Sequence, residues 1–255
     1  MILNSNIVGE GRPVIILHGF LGMGDNWKSL AMNMAQEGFQ VHLVDQRNHG
    51  RSFHHPEFNY QLLTQDLKEY LDDQGLDRIV LLGHSMGGKT AMNFATQHPE
   101  SVSHLAVADI GPKEYPPHHQ AILKALNYLA QSVPTSRKQA DDLLSEYISE
   151  PGIRQFLLKN LYWKQPEQLG LRINLISLTE NADQIGAALS AAAIFEGPTL
   201  FLKGAKSAYI LPEDQAGITR HFPQSKLIEI PRAGHWLHAE NPKDFLAAFL
   251  AFIQG

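Results

Sequence analysis

Six short apolar runs recur along the chain, and each stops at a small, polar or ring residue. Val14-Ile15-Ile16-Leu17 stops at His18-Gly19, Val41-His42-Leu43-Val44 at Asp45, and Ile79-Val80-Leu81-Leu82 at Gly83. Leu105-Ala106-Val107-Ala108 stops at Asp109, Thr199-Leu200-Phe201-Leu202 near Gly204, and Leu227-Ile228-Glu229-Ile230 at Pro231. Runs without strict alternation read as strands buried on both faces, the habit of parallel sheets. Between them lie amphipathic, helix-length segments at residues 26–37, 60–74, 85–97, 212–222 and 241–253. Gly38 and Gly75 follow the first two, Pro99 stops the third, and Pro212 and Pro242 sit in the first turns of the last two. The order is βαβαβαβ, an interruption, then βαβα. It predicts an α/β fold with a mostly parallel central sheet and helices on both faces.

The interruption runs from 111 to 197, is helical in pattern, and is too long for a loop. We read it as an inserted helical cap (residues 111–197) on a core of residues 1–110 and 198–255. It leaves from a strand's C-terminal end, where open α/β sheets bind ligands, so the cap is expected to roof the site.

Composition narrows the function. The chain has 255 residues, 44% hydrophobic and 18% charged, with a formal net charge of −5. That is a globular composition with no basic stripe, so no nucleic-acid partner is expected. There is no cysteine, which removes disulfides, thiolate metal sites and a Cys nucleophile. The first residues lack a basic n-region and an apolar h-region, and no apolar stretch is long enough to span a bilayer. A cytoplasmic enzyme acting as monomer or homodimer is the expectation.

Gly83-His84-Ser85-Met86-Gly87 is a G-x-S-x-G pentapeptide between a buried strand and a helix. That setting is the one a nucleophile elbow requires, with Ser85 lifted above the sheet edge and the helix N-terminus facing it. An acyl-transfer oxyanion needs preorganised donors. Met86 N–H, directly after the nucleophile, is one candidate. Phe20 N–H, in the glycine-flanked loop His18-Gly19-Phe20-Leu21-Gly22, is the other. His18 reads as structural. Of the 13 histidines, His235 is best placed as base, in the loop between the last strand and the last helix. His54-His55 and His118-His119 read as solvated loop pairs, and no third ligand beside His235 and His238 suggests a metal.

The acid leaves a choice. The loop after Leu202 holds no carboxylate, and Ser207 stands where an Asp is commonly found. Glu213 and Asp214 have an ordinary reading as acids in a helical first turn. Asp109 ends a buried strand, where an unpaired charge is costly and a histidine donor would satisfy it. Asp109 is the favoured acid, with Asp214 or Glu213 as alternatives. Phe20, Leu21, Met86, Trp236 and Leu237 flank these residues and are expected to line an apolar acyl pocket, with Phe156, Leu157, Tyr162 and Trp163 of the cap as further candidates. Lys159, Arg154 and Lys206 are candidates for a CoA phosphate.

Together these residues resemble the α/β-hydrolase superfamily. The similarity is closest to small bacterial YbfF-type esterases and acyl-CoA thioesterases and their mitochondrial abhydrolase relatives. It is carried by His18-Gly19 with Gly22 and Asp25-Asn26-Trp27, by the stretch from Asp45-Gln46-Arg47-Asn48-His49-Gly50 to Arg51-Ser52, and by Gly83-His84-Ser85-Met86-Gly87-Gly88-Lys89. Gln155-Phe156-Leu157-Leu158-Lys159, Gly234-His235-Trp236 and His238-Ala239-Glu240 complete it. The resemblance implies a cofactor-free serine hydrolase acting on acyl esters and thioesters, with its acid after the strand that precedes the cap, at Asp109. The 45–52 loop is read as packing and hydrogen bonding beneath the site. The alternative enzyme is a lyase on the same scaffold, similar to menaquinone-pathway SHCHC synthases. The alternative class is a non-catalytic ligand-binding relative.

Overall fold

The strand runs form because their side chains can be buried on both sides at once. In the computed structural model, which describes residues 1–117 and 119–255, Ile15, Leu17 and Leu81 point into one apolar layer and Val14, Ile16, Val80 and Leu82 into another. His118 lies outside the described residues.

The chain order begins β1 (Ser5–Val8), β2 (Arg12–Leu17), α1 (Lys28–Gln36), β3 (Phe39–Val44), α2 (Tyr60–Gln74), β4 (Ile79–His84), α3 (Met86–Gln97) and β5 (Val102–Ala108). An insertion follows: α4 (Gln120–Ser132), α5 (Arg137–Ser145), α6 (Pro151–Leu158), β6 (Leu161–Gln165), β7 (Gln168–Leu171) and α7 (Leu175–Glu180). The chain then returns with β8 (Thr199–Gly204), α8 (Gln215–His221), β9 (Ser225–Ile230), α9 (Leu237–Glu240) and α10 (Pro242–Gln254). The main sheet has the order β1-β3-β2-β4-β5-β8-β9, parallel except for the antiparallel β1–β3 pair. Helices α2, α3 and α8 cover one face (Leu67, Tyr70, Phe94, Ile218), and α1 and α10 the other (Leu30, Met34, Phe245, Phe249).

Three features depart from the sequence reading. Strand β1 was not expected; it is four residues long and pairs only at the sheet edge. Strand β9 is the opposite edge and is largely exposed, with Leu227 and Ile228 each 37% accessible, so its apolar run does not mean burial on both faces. The insertion is not wholly helical: β6 and β7 form an antiparallel hairpin. Its turn at Pro166-Glu167, with Glu167 at φ 58°, and the aromatic pair Tyr162-Trp163 favour a hairpin over a helix.

The insertion has a core of its own, including Leu126, Leu144, Leu157 and Leu178. It shares that core with Phe20, Leu21, Phe58, Tyr60 and Met86 of the sheet domain. Its two stems are fastened together and to α3. Tyr115 N–H donates to Gly186 O (2.9 Å) and Leu189 N–H to Pro112 O (2.9 Å). The fully buried Lys89 donates to Lys113 O and, at 2.8 Å, to Ala187 O.

Candidate active site

Ser85 sits between β4 and α3 at φ 52° and ψ −117°, a left-handed backbone rare for a side chain-bearing residue. The surrounding packing holds it there. A Cβ on Gly83 would come within 2.1 Å of Gly87 O, and one on Gly87 within 2.3 Å of Leu17 O. Both glycines are therefore required for the close crossing of β2, β4 and α3 beneath the serine. Ser85 N–H donates to Ala108 O at 3.0 Å, tying the elbow to the end of β5.

Asp109 follows that strand end, at φ 53° and with no solvent exposure. Its Oδ1 accepts from Gly204 N–H (3.0 Å), and its Oδ2 accepts from the Ser207 hydroxyl and from His235 Nδ1–H (2.7 Å). Three donors leave the carboxylate well paired despite its burial. Asp214, by contrast, is committed to Lys113 Nζ at 2.6 Å and to Leu211 N–H at 2.8 Å. Ser207, which stands where an Asp is commonly found, donates to Asp109 instead.

With Nδ1 protonated toward Asp109, the other nitrogen of His235 carries the lone pair. Tyr209 stacks on the ring (centroids 3.9 Å apart, 16° between planes), and His84 Nε2–H donates to the His235 carbonyl at 2.8 Å. Burial and the neighbouring His235 and His238 rings push the His84 pKa well below its ordinary value, so His84 is a neutral donor. Ser85 and His235 line the same cavity. Among the described residues no hydrogen bond joins their side chains.

The loop of residues 18–22 is held by histidines. His18 Nδ1–H donates to Gly19 O (2.8 Å), and its Nε2 accepts from Gln46 N–H (3.0 Å). His49 Nδ1–H donates to Arg47 O (2.9 Å), and its Nε2 accepts from Leu21 N–H (3.2 Å). Burial lowers both pKa values, that of His49 to about 3, so both rings are neutral and each keeps one donor and one acceptor. Leu21 itself is at φ 60°, and Asn160 of the insertion clamps its carbonyl at 2.8 Å. Among the described residues no protein acceptor meets Phe20 N–H. Met86 opens α3, so its N–H has no partner within the helix. The 45–52 loop thus does what the sequence suggested. Arg47 is anchored by a buried ion pair to Asp66 (2.5 and 2.7 Å), and Gln46 Nε2–H donates to His18 O.

His18, Phe20, Leu21, Ser85 and His235 border a cavity of about 260 Å³ between core and insertion. Phe20, Leu21, Phe156, Leu157 and Trp236 line it as expected. Leu237 does not. It is fully buried in the layer beneath the sheet with Val14 and Phe245, because α9 turns its side chain inward. The Met86 side chain likewise joins the insertion's core rather than the cavity wall. Tyr162 and Trp163 are on the hairpin, and Trp163 is 59% exposed. Arg154 is engaged by Asp141 (2.8 Å) and by two backbone carbonyls. His119, expected in solvent, is half-buried against Phe20 (ring centroids 4.8 Å apart) and lines the cavity. Tyr209, His84, His119 and His238, together with Asn26, Trp27, Ile122 and Ile153, are wall residues that sequence reasoning did not find. Tyr209 and the pairing of Ser207 with Asp109 had a faint signal in the acid-free loop after β8. Among the described residues no group of three His, Cys, Asp or Glu could hold a metal ion. No helix among them is long and apolar enough to cross a membrane.

Residues 12–146 match the family described as alpha/beta hydrolase fold. The chain is 42% identical to the sn-1-specific diacylglycerol lipase ABHD11 of Mus musculus over 247 residues, covering 94% of this chain and 80% of that protein. It is 32% identical to esterase YbfF of Escherichia coli (strain K12) over 248 residues, covering 96% and 94% of the two chains. Among solved structures, one described as a marine microorganism esterase superposes with a TM-score of 0.94 at 42% identity, covering 98% of this chain and 99% of that one. The chain belongs to the α/β-hydrolase family.

Proposed function

We propose that the protein is a serine hydrolase that cleaves carboxylic esters of short to medium acyl chains, and acyl-CoA thioesters as a second class, through an acyl-enzyme on Ser85. The observation that carries this reading is His235, bonded through Nδ1 to the buried Asp109, sharing one largely apolar cavity with the strained Ser85. The esterase and lipase names of the relatives support ester chemistry, and the diacylglycerol lipase among them makes glycerolipid esters a candidate class.

In the proposed cycle the His235 imidazole takes the hydroxyl proton as Ser85 Oγ bonds to the substrate carbonyl carbon. The carbonyl oxygen becomes an oxyanion between Phe20 N–H and Met86 N–H. The bond to the leaving oxygen or sulfur then breaks, and His235 returns the proton to it. Water, deprotonated by His235, attacks the acyl-enzyme and frees the acid and Ser85. Asp109 keeps the imidazole oriented and stabilises its charged form without taking the proton. Residues 111–197 act as the cap that limits the acyl chain.

Steady-state kinetics over p-nitrophenyl esters and acyl-CoAs of graded length test this. Turnover that peaks at short to medium chains and vanishes in Ser85→Ala supports the reading. Activity that survives Ser85→Ala, or a wild-type enzyme inert on all of them, overturns it.

A further inference from the structure

The cavity wall is not uniformly apolar. Next to the Ser85–His235 end it carries a contiguous polar patch from the core. Trp27 and His238 stack face to face (centroids 3.9 Å apart, 9° between planes), His84 sits against His238 (4.8 Å), and Asn26 adjoins Trp27. All four line the cavity. The insertion contributes Ile122, Ile153, Phe156 and Leu157 to the same space.

The hydrogen bonds of this patch do not close within the protein. His238 is only 7% exposed, and its Nδ1 is buried without a partner. Among the described residues its Nε2 has none either, nor has the indole N–H of Trp27, a residue only 1% exposed. Asn26 spends its Oδ1 on Met23 N–H (2.8 Å), and its amide N–H groups meet no protein acceptor. Buried polar groups in native proteins are nearly always paired, so the unpaired His238 ring, beside the Trp27 and Asn26 donors on one cavity wall, marks a place that another molecule completes. The patch is also uncharged. Burial, with His235 and Lys159 nearby, lowers the His238 pKa to about 3, and His84 is neutral.

Resting on the hydrolase reading above, we propose that Asn26, Trp27 and His238 form a subsite for an uncharged acceptor oxygen of the substrate beyond the scissile group, such as a hydroxyl or a second ester carbonyl. Neutral N–H donors on a rigid aromatic stack suit such an oxygen. They offer no ion pair to a phosphate or carboxylate. The subsite would make the enzyme selective for hydroxylated or multiply acylated esters over plain alkyl esters of equal size, because the plain ester leaves the donors unpaired.

Matched substrates that exchange one methyl for a hydroxyl test this. One arm compares 2-hydroxyethyl butyrate with propyl butyrate, placing the oxygen on the alcohol side. The other compares ethyl 4-hydroxybutyrate with ethyl pentanoate, placing it on the acyl side. The wild-type enzyme is expected to favour the hydroxylated member in one arm by about tenfold in kcat/KM, and that arm identifies the side. His238→Phe keeps the stack on Trp27 and removes the unpaired nitrogens, so it should fold with an unchanged or higher Tm and bring the ratio toward one. Asn26→Asp keeps the acceptor for Met23 N–H while removing the amide donors, and should lower the same ratio. A wild-type ratio near one in both arms, or an equal ratio in wild type and His238→Phe, overturns the subsite. Loss of all turnover in Ser85→Ala separates that failure from a failure of the hydrolase reading.

Discussion

Asp109 Oδ2 takes both the His235 ring N–H and the Ser207 hydroxyl, so the orientation of the His235 ring depends on a single carboxylate with no solvent around it. Asp109→Asn should leave the fold intact and lower kcat by roughly 10⁴, because an amide in that place favours the wrong imidazole tautomer. Ser207→Ala removes one donor to a charged acceptor, and a kcat/KM loss of about tenfold is expected. Parallel kinetics of the two variants check the ranking. A Ser207→Ala loss equal to that of Asp109→Asn would mean that the hydroxyl does more than pair the carboxylate. At this scale Ser85 and His235 were legible because their neighbours in sequence, glycines and strand ends, are part of what the chemistry needs. Asp109 was legible because a carboxylate behind four apolar residues must find a donor. Tyr209, His84 and His238 were not legible. Their places on the wall come from contacts across many intervening residues, and nothing local in sequence distinguishes them from other buried rings.

At the scale of elements, α3 does two jobs. Its N-terminus presents Ser85 and Met86, and one turn further its Lys89 holds the two stems of the insertion through Lys113 O and Ala187 O. Burial pushes the Lys89 pKa down from 10.5 to about 7, with the adjacent Lys113 adding to the fall and Glu114 opposing it. A lysine with a depressed folded-state pKa is less protonated when folded than when unfolded between those limits. The contribution of Lys89 to stability therefore rises with pH from about 7 to 10.5 and is flat outside that window. Lys89→Met lacks this dependence. Denaturant unfolding at several pH values should show the deficit of Lys89→Met against wild type growing as pH rises through the window. A constant deficit would contradict the linkage. Elements were legible where an apolar period had room to repeat, as in β2, β4, α2 and α10. Strand β1 and the β6–β7 hairpin are short and held mainly by their partner strands. Strand β9 shows the converse error, since an apolar run at a sheet edge has only part of its surface covered.

For the whole molecule, the cavity exists because two apolar cores share a boundary. Phe20, Leu21 and Met86 belong to the sheet domain by sequence but pack with the insertion's helices. The parallel sheet and the insertion's place after β5 were legible because doubly covered strands and right-handed crossovers allow few other layouts. The depth of the cavity was not, since it depends on how α6 and α4 settle over the sheet. Phe156, from α6, closes the wall against Trp236 (ring centroids 5.8 Å apart). Phe156→Ala should enlarge that end and raise the kcat/KM ratio of octanoyl over butyryl p-nitrophenyl esters by roughly tenfold. An unchanged ratio would place the acyl chain elsewhere. The central claim, that the Ser85 hydroxyl is the nucleophile served by His235, is tested most directly by mass spectrometry after reaction with a fluorophosphonate. The account predicts one adduct per chain, on the peptide that carries Ser85, absent in Ser85→Ala and strongly slowed in His235→Ala. No adduct on the wild-type chain, or an undiminished one in Ser85→Ala, would contradict it.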